Sequence, residues 1–389
     1  MGICAFTGRC GGCTHPDTPY PRELAEKETT LRETLGDYGH LLEGIRPSPE
    51  ITGYRNKMEL AFGDDGGTTL TLGIRKKRSL YEVATTQDCI LMPDDFKKIA
   101  AFALDFFRES GETFFHRKKH TGTLRHLVLR RGHFTGEILV MLSAASGLNA
   151  DLQAFTQGLR GLYIKGSIVG ILLATNDGVA DAVKNENQRI LWGRNFYREK
   201  LCGLMFYVSA FSFFQTNSTG AEILYGIVRD LAGGGKLAYD LYCGTGTIAQ
   251  IISPQFDKVI GIEFIPEAIA AAQTNVKLNG ISNCEFLTRD ISRITGQKNG
   301  LHLDGDGKID AIVVDPPRDG LAPKALTHIA ELAPTRLVYI ACKPASLARD
   351  LPQLAALGFT AERIIGFDLF PRTPHVEVVA LLRRTDTRW

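Results

Sequence analysis

Cys342 closes a run of strand-forming residues, Arg336-Leu-Val-Tyr-Ile-Ala-Cys342, and Lys343-Pro344 turns the chain directly after it. A thiol at such a place can add to an electrophilic carbon, and the Lys343 ammonium with a following helix N-terminus would favour its thiolate. For a lone cysteine the ordinary alternative is an inert, buried small side chain. Further on, Phe370-Pro-Arg-Thr-Pro-His375-Val-Glu377 leads into a last β-like run. Glu377 is the candidate base for removing a proton from whatever the cysteine has attacked, with His375 as a second candidate.

Two further segments bear on the same chemistry. In Asp240-Leu-Tyr-Cys-Gly244-Thr-Gly246 a strand-like run enters a glycine-rich turn and then an apolar helical run. Glycines there let backbone approach a ligand closely. The next strand-like run, Lys-Val-Ile-Gly-Ile-Glu263-Phe, ends on an acid where a doubly wound nucleotide site holds its ribose. No third glycine stands at the dinucleotide spacing, so S-adenosylmethionine (SAM) is expected rather than NAD. The run Ile-Asp-Ala-Ile-Val-Val ends in Asp315-Pro-Pro-Arg318, whose prolines stiffen a loop that places Asp315 beside cofactor and substrate. Methyltransferases of base amino groups usually carry an aromatic residue where Arg318 stands. A nucleophilic cysteine, a base and a SAM site together describe methylation at carbon 5 of uracil: the thiolate adds to C6, C5 takes the methyl, and a base removes the C5 proton.

The order of elements predicts what must hold these residues. From about Val208 onward, helical and strand-like runs alternate, which predicts a parallel, doubly wound α/β sheet of the Rossmann-like, SAM-dependent type over 208–389. Before it, short β-rich runs punctuated by Gly, Asn and Asp predict a mixed, largely antiparallel α+β domain within 1–207, with an apolar helix near Phe96 to Phe107. Pro21 to Leu35 reads as one charged helix, expected at the surface, with Gly36 near its stop.

Of 389 residues, 44% are hydrophobic and 23% charged, as in ordinary globular proteins and unlike disordered or fibrous chains. No apolar run reaches the roughly 18 residues of a membrane span, and the N-terminus lacks a signal core, so a cytoplasmic protein is expected, with no membrane association. Net charge is only +2, so RNA contacts have to be local. The candidates are Arg75 to Arg78 and the stretch His116 to Arg131, the latter read as a strand with one basic face; a solvated charged surface is the equal alternative. Eight cysteines in a reducing compartment are not expected to form disulfides.

With these motifs in hand, the chain resembles the RNA uracil-5-methyltransferases of the RumA/TrmA type over essentially its whole length. The resemblance is carried by Cys4-x5-Cys10-x2-Cys13, Tyr54-Arg-Asn-Lys-Met58, Asp88-Cys89, Phe213-Phe-Gln215-Thr-Asn217, Asp240-Leu-Tyr-Cys-Gly-Thr-Gly246, Asp315-Pro-Pro-Arg-Asp-Gly-Leu321, Cys342-Lys-Pro344 and Pro374-His-Val-Glu377. It implies Cys342 as nucleophile, Glu377 as base, and Gln215, Tyr242, Gly244, Glu263 and Asp315 in the SAM site. It also implies a [4Fe-4S] cluster on Cys4, Cys10, Cys13 and Cys89, as in the rRNA enzymes of the family, with zinc as the alternative that spacing leaves open. Radical-SAM chemistry does not fit a spacing of five residues between Cys4 and Cys10.

The chain departs from the family pattern in having Cys-Lys-Pro where Cys-Asn-Pro is usual, and it is expected to resemble the shorter rRNA members that lack the small RNA-binding TRAM barrel many relatives carry. The implied substrate is a single-stranded loop uridine, turned out of its stack, most consistent with 23S rRNA; tRNA is the alternative target. No protein partner is implied. Two competing readings are a cytosine-5 RNA methyltransferase, disfavoured because no Pro-Cys pair occurs, and a non-catalytic RNA-binding protein that keeps the fold.

Overall fold

The computed structural model describes residues 4, 6–178, 187–291 and 308–385. The chain divides into two compact units, and the division departs from a single cut at 207/208. One unit comprises Met1–Thr18, Glu50–Lys200 and Phe206–Ser218; the other comprises Pro19–Pro49, Leu201–Met205 and Thr219–Trp389.

In the first unit a seven-stranded sheet runs in the order Val83–Thr85, Leu70–Arg75, Lys57–Asp64, Leu124–Arg131, Glu137–Ala144, Ser167–Thr175, Gln188–Gly193. Its neighbours are antiparallel except Glu137–Ala144 and Ser167–Thr175, which are parallel and joined through the helix Leu152–Arg160. That helix is capped by Asp151, whose Oδ1 accepts the N–H groups of Gln153 and Ala154 at 2.9 and 3.0 Å. With the helix Asp94–Glu109 it packs an aromatic core in which Phe102 stacks on Phe155 at 5.9 Å and Phe107 lies 5.0 Å from Phe155.

The basic face expected on Leu124–Arg131 is not there. This is a central strand, buried along nearly its whole length. Arg125 is 3% and Arg130 1% exposed, and both serve the fold: Arg125 donates to the carbonyls of Asn176 and Gly178, Arg130 to those of Ser209, Ala210 and Ser212. An arginine satisfied by several carbonyls can be buried where sequence alone suggests exposure.

The second unit holds an eight-stranded sheet in the order Leu42–Arg46, Phe359–Phe367, Glu377–Arg384, Arg336–Ala341, Ala311–Val314, Gly235–Leu241, Phe256–Glu263, Cys284–Thr288. All pairings are parallel except those of Glu377–Arg384, which lies antiparallel between Arg336–Ala341 and Phe359–Phe367. Strand order reverses between Gly235–Leu241 and Ala311–Val314, and in doubly wound sheets the crevice beyond that reversal receives the ligand. The expected doubly wound sheet is therefore present, and it has recruited chain from the N-terminal end. The helix Tyr20–Leu35 is not a free surface element: Leu31 and Leu35, with Leu42, pack in the same core as Leu237, Tyr239 and Ile312. Among the described residues no helix is long and apolar enough to cross a membrane.

Candidate active site

The strand Gly235–Leu241 ends in a turn with three left-handed residues, Tyr242 at φ 65°, Gly244 at φ 52° and Gly246 at φ 74°, before the helix Thr247–Ile252. A Cβ on Gly246 would stand 2.5 Å from the Phe286 ring, so the turn admits only glycine there. Asp240, fully buried, accepts the Ala249 N–H at 2.8 Å and so ties the strand to the helix that follows. Glu263 stands across the turn. Its Oε2 accepts from the Gly244 N–H at 3.2 Å, and its Oε1 accepts from Phe264 and Ile265 at 2.8 and 3.0 Å. Phe264 and Ile265, next to that carboxylate, are 69% and 51% exposed. This pairing of a fixed acid with bare apolar surface suits a ribose and its flat base, and neither apolar residue stands out in the sequence.

The reacting groups come from three adjacent strands. Asp315 follows Ala311–Val314, Cys342 follows Arg336–Ala341, and Glu377 begins the antiparallel strand beside it. Ala341 pairs with Val378, so one more step of the same register sets Cys342 opposite Glu377. Cys342 and Glu377 both feel the charge of Asp315. Burial, then the charge of Asp315, pushes Glu377 up to about 8, while Arg318 pulls it down. Burial pushes Asp315 up to about 7. The Cys342 thiol rises to about 11 through burial and then the carboxylates of Glu377 and Asp315, opposed by Arg318. A cation that favours the thiolate is thus Arg318 of the Asp-Pro-Pro-Arg loop.

That loop is anchored from behind by Asp350, which is fully buried. Its Oδ2 accepts the Leu321 N–H at 2.9 Å and the Tyr339 hydroxyl at 2.8 Å, and its Oδ1 accepts two guanidinium N–H groups of Arg349 at 2.8 and 2.7 Å. Tyr339 lies on the strand that delivers Cys342, so one carboxylate ties the Arg318 loop to the nucleophile's strand.

Gln215 falls in the first unit. Its carbonyl accepts from Asn56 Nδ2 at 2.8 Å, and Asn56 also donates through its backbone to Thr216 at 2.8 Å and through Nδ2 to the Ser218 hydroxyl at 2.8 Å. Two of the motifs read from the sequence, Tyr54–Met58 and Phe213–Asn217, are therefore parts of one structure. Phe213, beside them, is 74% exposed.

Cys4, Cys10, Cys13 and Cys89 line a single pocket, walled also by Ile74 and Ile90. Burial raises the Cys13 thiol to about 12, with Cys89, Cys10 and Cys4 adding to it; Cys10 is raised by burial and then, less, by Cys89 and Cys4. Among the described residues no set of three or more His, Cys, Asp or Glu side chains is arranged to hold a single metal ion.

Comparison with known proteins decides the family. The model of the tRNA (uracil-5-)-methyltransferase family matches residues 182–385. An RNA methyltransferase of Clostridium tetani, itself without an assigned role, is 41% identical over 99% of this chain and 84% of its own. The chain belongs to the tRNA (uracil-5-)-methyltransferase family. A second such RNA methyltransferase, from Clostridium acetobutylicum, is 40% identical over 98% of this chain and 83% of its own. Among solved structures, the Pyrococcus abyssi tRNA (uracil-54, C5)-methyltransferase in complex with S-adenosyl-L-homocysteine is 29% identical, with a TM-score of 0.79, over 96% of this chain and 86% of that one.

For a member of this SAM-dependent, RNA-modifying family, the second unit brings Tyr242, Gly244, Glu263, Asp315, Cys342 and Glu377 to the carboxyl edge of one sheet. Asp350 and the Phe264–Ile265 pair belong to the same edge and were not singled out in the sequence, and Asp240 stood there only as part of the glycine motif. Arg318 was legible there as the residue replacing an aromatic; Asp350, inside a helix, carries no local signal.

Proposed function

We propose that this chain methylates carbon 5 of a uridine in RNA, with 23S rRNA as the target, by covalent catalysis through Cys342. The observation that carries the reading is the placement of Cys342 across from Glu377, with Asp315 and Arg318 acting on both. SAM, when bound, supplies the methyl group. Gly244 and Gly246 would let it lie close to the backbone, Glu263 would hold its ribose, and Tyr242 and Asp315 would complete its contacts. Cys342 Sγ bonds to C6 of the flipped uracil, which saturates the C5=C6 bond and makes C5 nucleophilic. After C5 is methylated, ionised Glu377 accepts the C5 proton, the double bond re-forms, and the C6–S bond breaks to release Cys342. Arg318 favours the charged forms of Cys342 and Glu377 throughout.

Cys4, Cys10, Cys13 and Cys89 would hold a [4Fe-4S] cluster. A single zinc with bonds of about 2.3 Å draws its sulfurs to about 4 Å from one another. The four thiols gather in one pocket, and thiolates are the usual ligands of iron–sulfur clusters. Its part here is to fasten the N-terminal segment to Cys89; the four-cysteine set also supports rRNA over tRNA. The family's name and the Pyrococcus neighbour favour tRNA as the second reading.

Nucleoside-resolved mass spectrometry of rRNA and tRNA from cells with and without the gene tests this. Loss of 5-methyluridine from 23S rRNA is expected. Loss from tRNA moves the target, and no loss, where no related enzyme compensates, overturns the reading.

A further inference from the structure

The two basic stretches, far apart in the sequence, meet in the first unit. The segment after Leu70–Arg75 makes a tight turn, closed by Lys76 N–H to the Glu82 carbonyl at 2.9 Å and by Ser79, whose N–H donates to Lys76 and whose hydroxyl accepts from Glu82 N–H at 2.9 Å. The second turn closes between His116 and Thr121 at 2.7 Å, with His120 N–H on the His116 carbonyl at 2.8 Å. Tyr81, at the base of the first turn, stacks on His116, at the base of the second, with ring centroids 4.4 Å apart and planes 23° apart, and Phe114 lies 5.9 Å from Tyr81. A further basic residue, Arg9, joins from the N-terminal segment, because Lys77 N–H bonds the Arg9 carbonyl at 2.9 Å.

The result is one surface carrying Arg9, Lys77, Arg78, Arg117, Lys118 and Lys119. Arg78 and His120 are both held in the left-handed region, at φ 64° and 52°, which costs energy for residues other than glycine. Within the first turn Glu82 pairs with Lys76 at 3.0 Å, and beside the second Glu112 accepts from Asn149 and Ala150. The overall charge of +2 is therefore gathered unevenly, with positive charge concentrated on two turns locked to each other by stacked rings.

We propose that these turns form a single phosphate-gripping surface for the RNA substrate, binding backbone without reading sequence. The proposal rests on the functional reading above and names the surface that holds the RNA. Phosphates match it better than a protein partner, because cations spread along two adjacent turns meet a chain of regularly spaced anions.

The test is a salt titration of binding to an unstructured uridine-containing RNA oligonucleotide, with methyl transfer measured in parallel. The variant is Arg78→Gln/Lys118→Gln/Lys119→Gln, in the full-length holoenzyme. Removing one cation that neutralises a single-stranded phosphate should lower the slope of log affinity against log salt by about 0.7. The expected result is a slope shallower by about 2, a KM for RNA raised on the order of tenfold, and an unchanged kcat. Lys97→Gln/Lys98→Gln, on the helix Asp94–Glu109 of the same unit, should change neither slope nor KM. An unchanged slope in the triple variant overturns the proposal, whether a protein or nothing meets the surface. An equal fall in the control overturns it too, since it would show general charge to be the cause. Wild-type protein that binds RNA and transfers no methyl defeats the functional reading instead, while the slopes still decide this one.

Discussion

Lys27 and Asp368 lie at opposite ends of the chain, yet Lys27 Nζ stands 2.8 Å from Asp368 Oδ1, with both side chains buried. Lys27 also meets Glu23 Oε1 at 2.8 Å, Glu23 accepts the Arg372 N–H at 2.7 Å, and the Tyr20 hydroxyl donates to Asp368 at 2.9 Å. Arg372, at φ 70°, sits in the turn that leads to Glu377. The helix Tyr20–Leu35 thus holds the approach to the base.

Lys27→Met should therefore be costly, because it leaves Glu23 and Asp368 buried without their shared cation. A loss of about 3 to 5 kcal/mol is expected for breaking such a pair from one side. Urea denaturation measures it; a loss under about 1 kcal/mol would show that the network contributes little.

Cys342→Ala should abolish methyl transfer and leave RNA binding intact. Glu377→Gln should instead accumulate a covalent protein–RNA adduct carrying the methyl group, since nothing remains to take the C5 proton. Denaturing gels with mass spectrometry of the trapped peptide distinguish the two. Methyl transfer at the wild-type rate in Cys342→Ala would remove the nucleophile assignment.

Burial holds Glu377 up at about 8 and Asp315 at about 7. Only ionised Glu377 can accept a proton, so release of the methylated covalent adduct, timed in a single turnover, should speed up as pH rises through about 8 and then level. Arg318→Met, by removing the charge that lowers Glu377 and Cys342, should move that limb to higher pH; an unmoved limb would assign it to another group.

The same shift has a consequence for stability. A carboxyl whose folded pKa lies above its unfolded value of about 4.3 favours the fold most at low pH, and that contribution is lost as pH rises through about 8. Glu377→Gln should accordingly be more stable than wild type at pH 8, with the difference shrinking toward about pH 4. Thermal melts across that range test the sign.

Anaerobically purified protein should be brown, with iron and sulfide in equal amounts, and Cys13→Ser or Cys89→Ser should lose both. Stoichiometric zinc without sulfide would replace the cluster by a zinc site.

The sequence by itself determined the doubly wound sheet, its glycine turn, and the residues set at strand ends, because strand–helix alternation is local and the carboxyl edge of such a sheet follows from its topology. It determined Cys342, Glu377, Asp315 and Glu263 as candidates for the same reason: each closes or opens a run legible on its own. Only the tertiary structure decided which neighbours act on them. Arg318 acts on the charge of Cys342, and its loop is anchored by Asp350 from a different helix, a contact that no local pattern encodes. Arg125 and Arg130 are interior, because carbonyls distant in sequence satisfy them. The charged helix Tyr20–Leu35 belongs with the methyltransferase sheet through ion pairs to residues more than three hundred positions away, and no local pattern encodes contacts of that range.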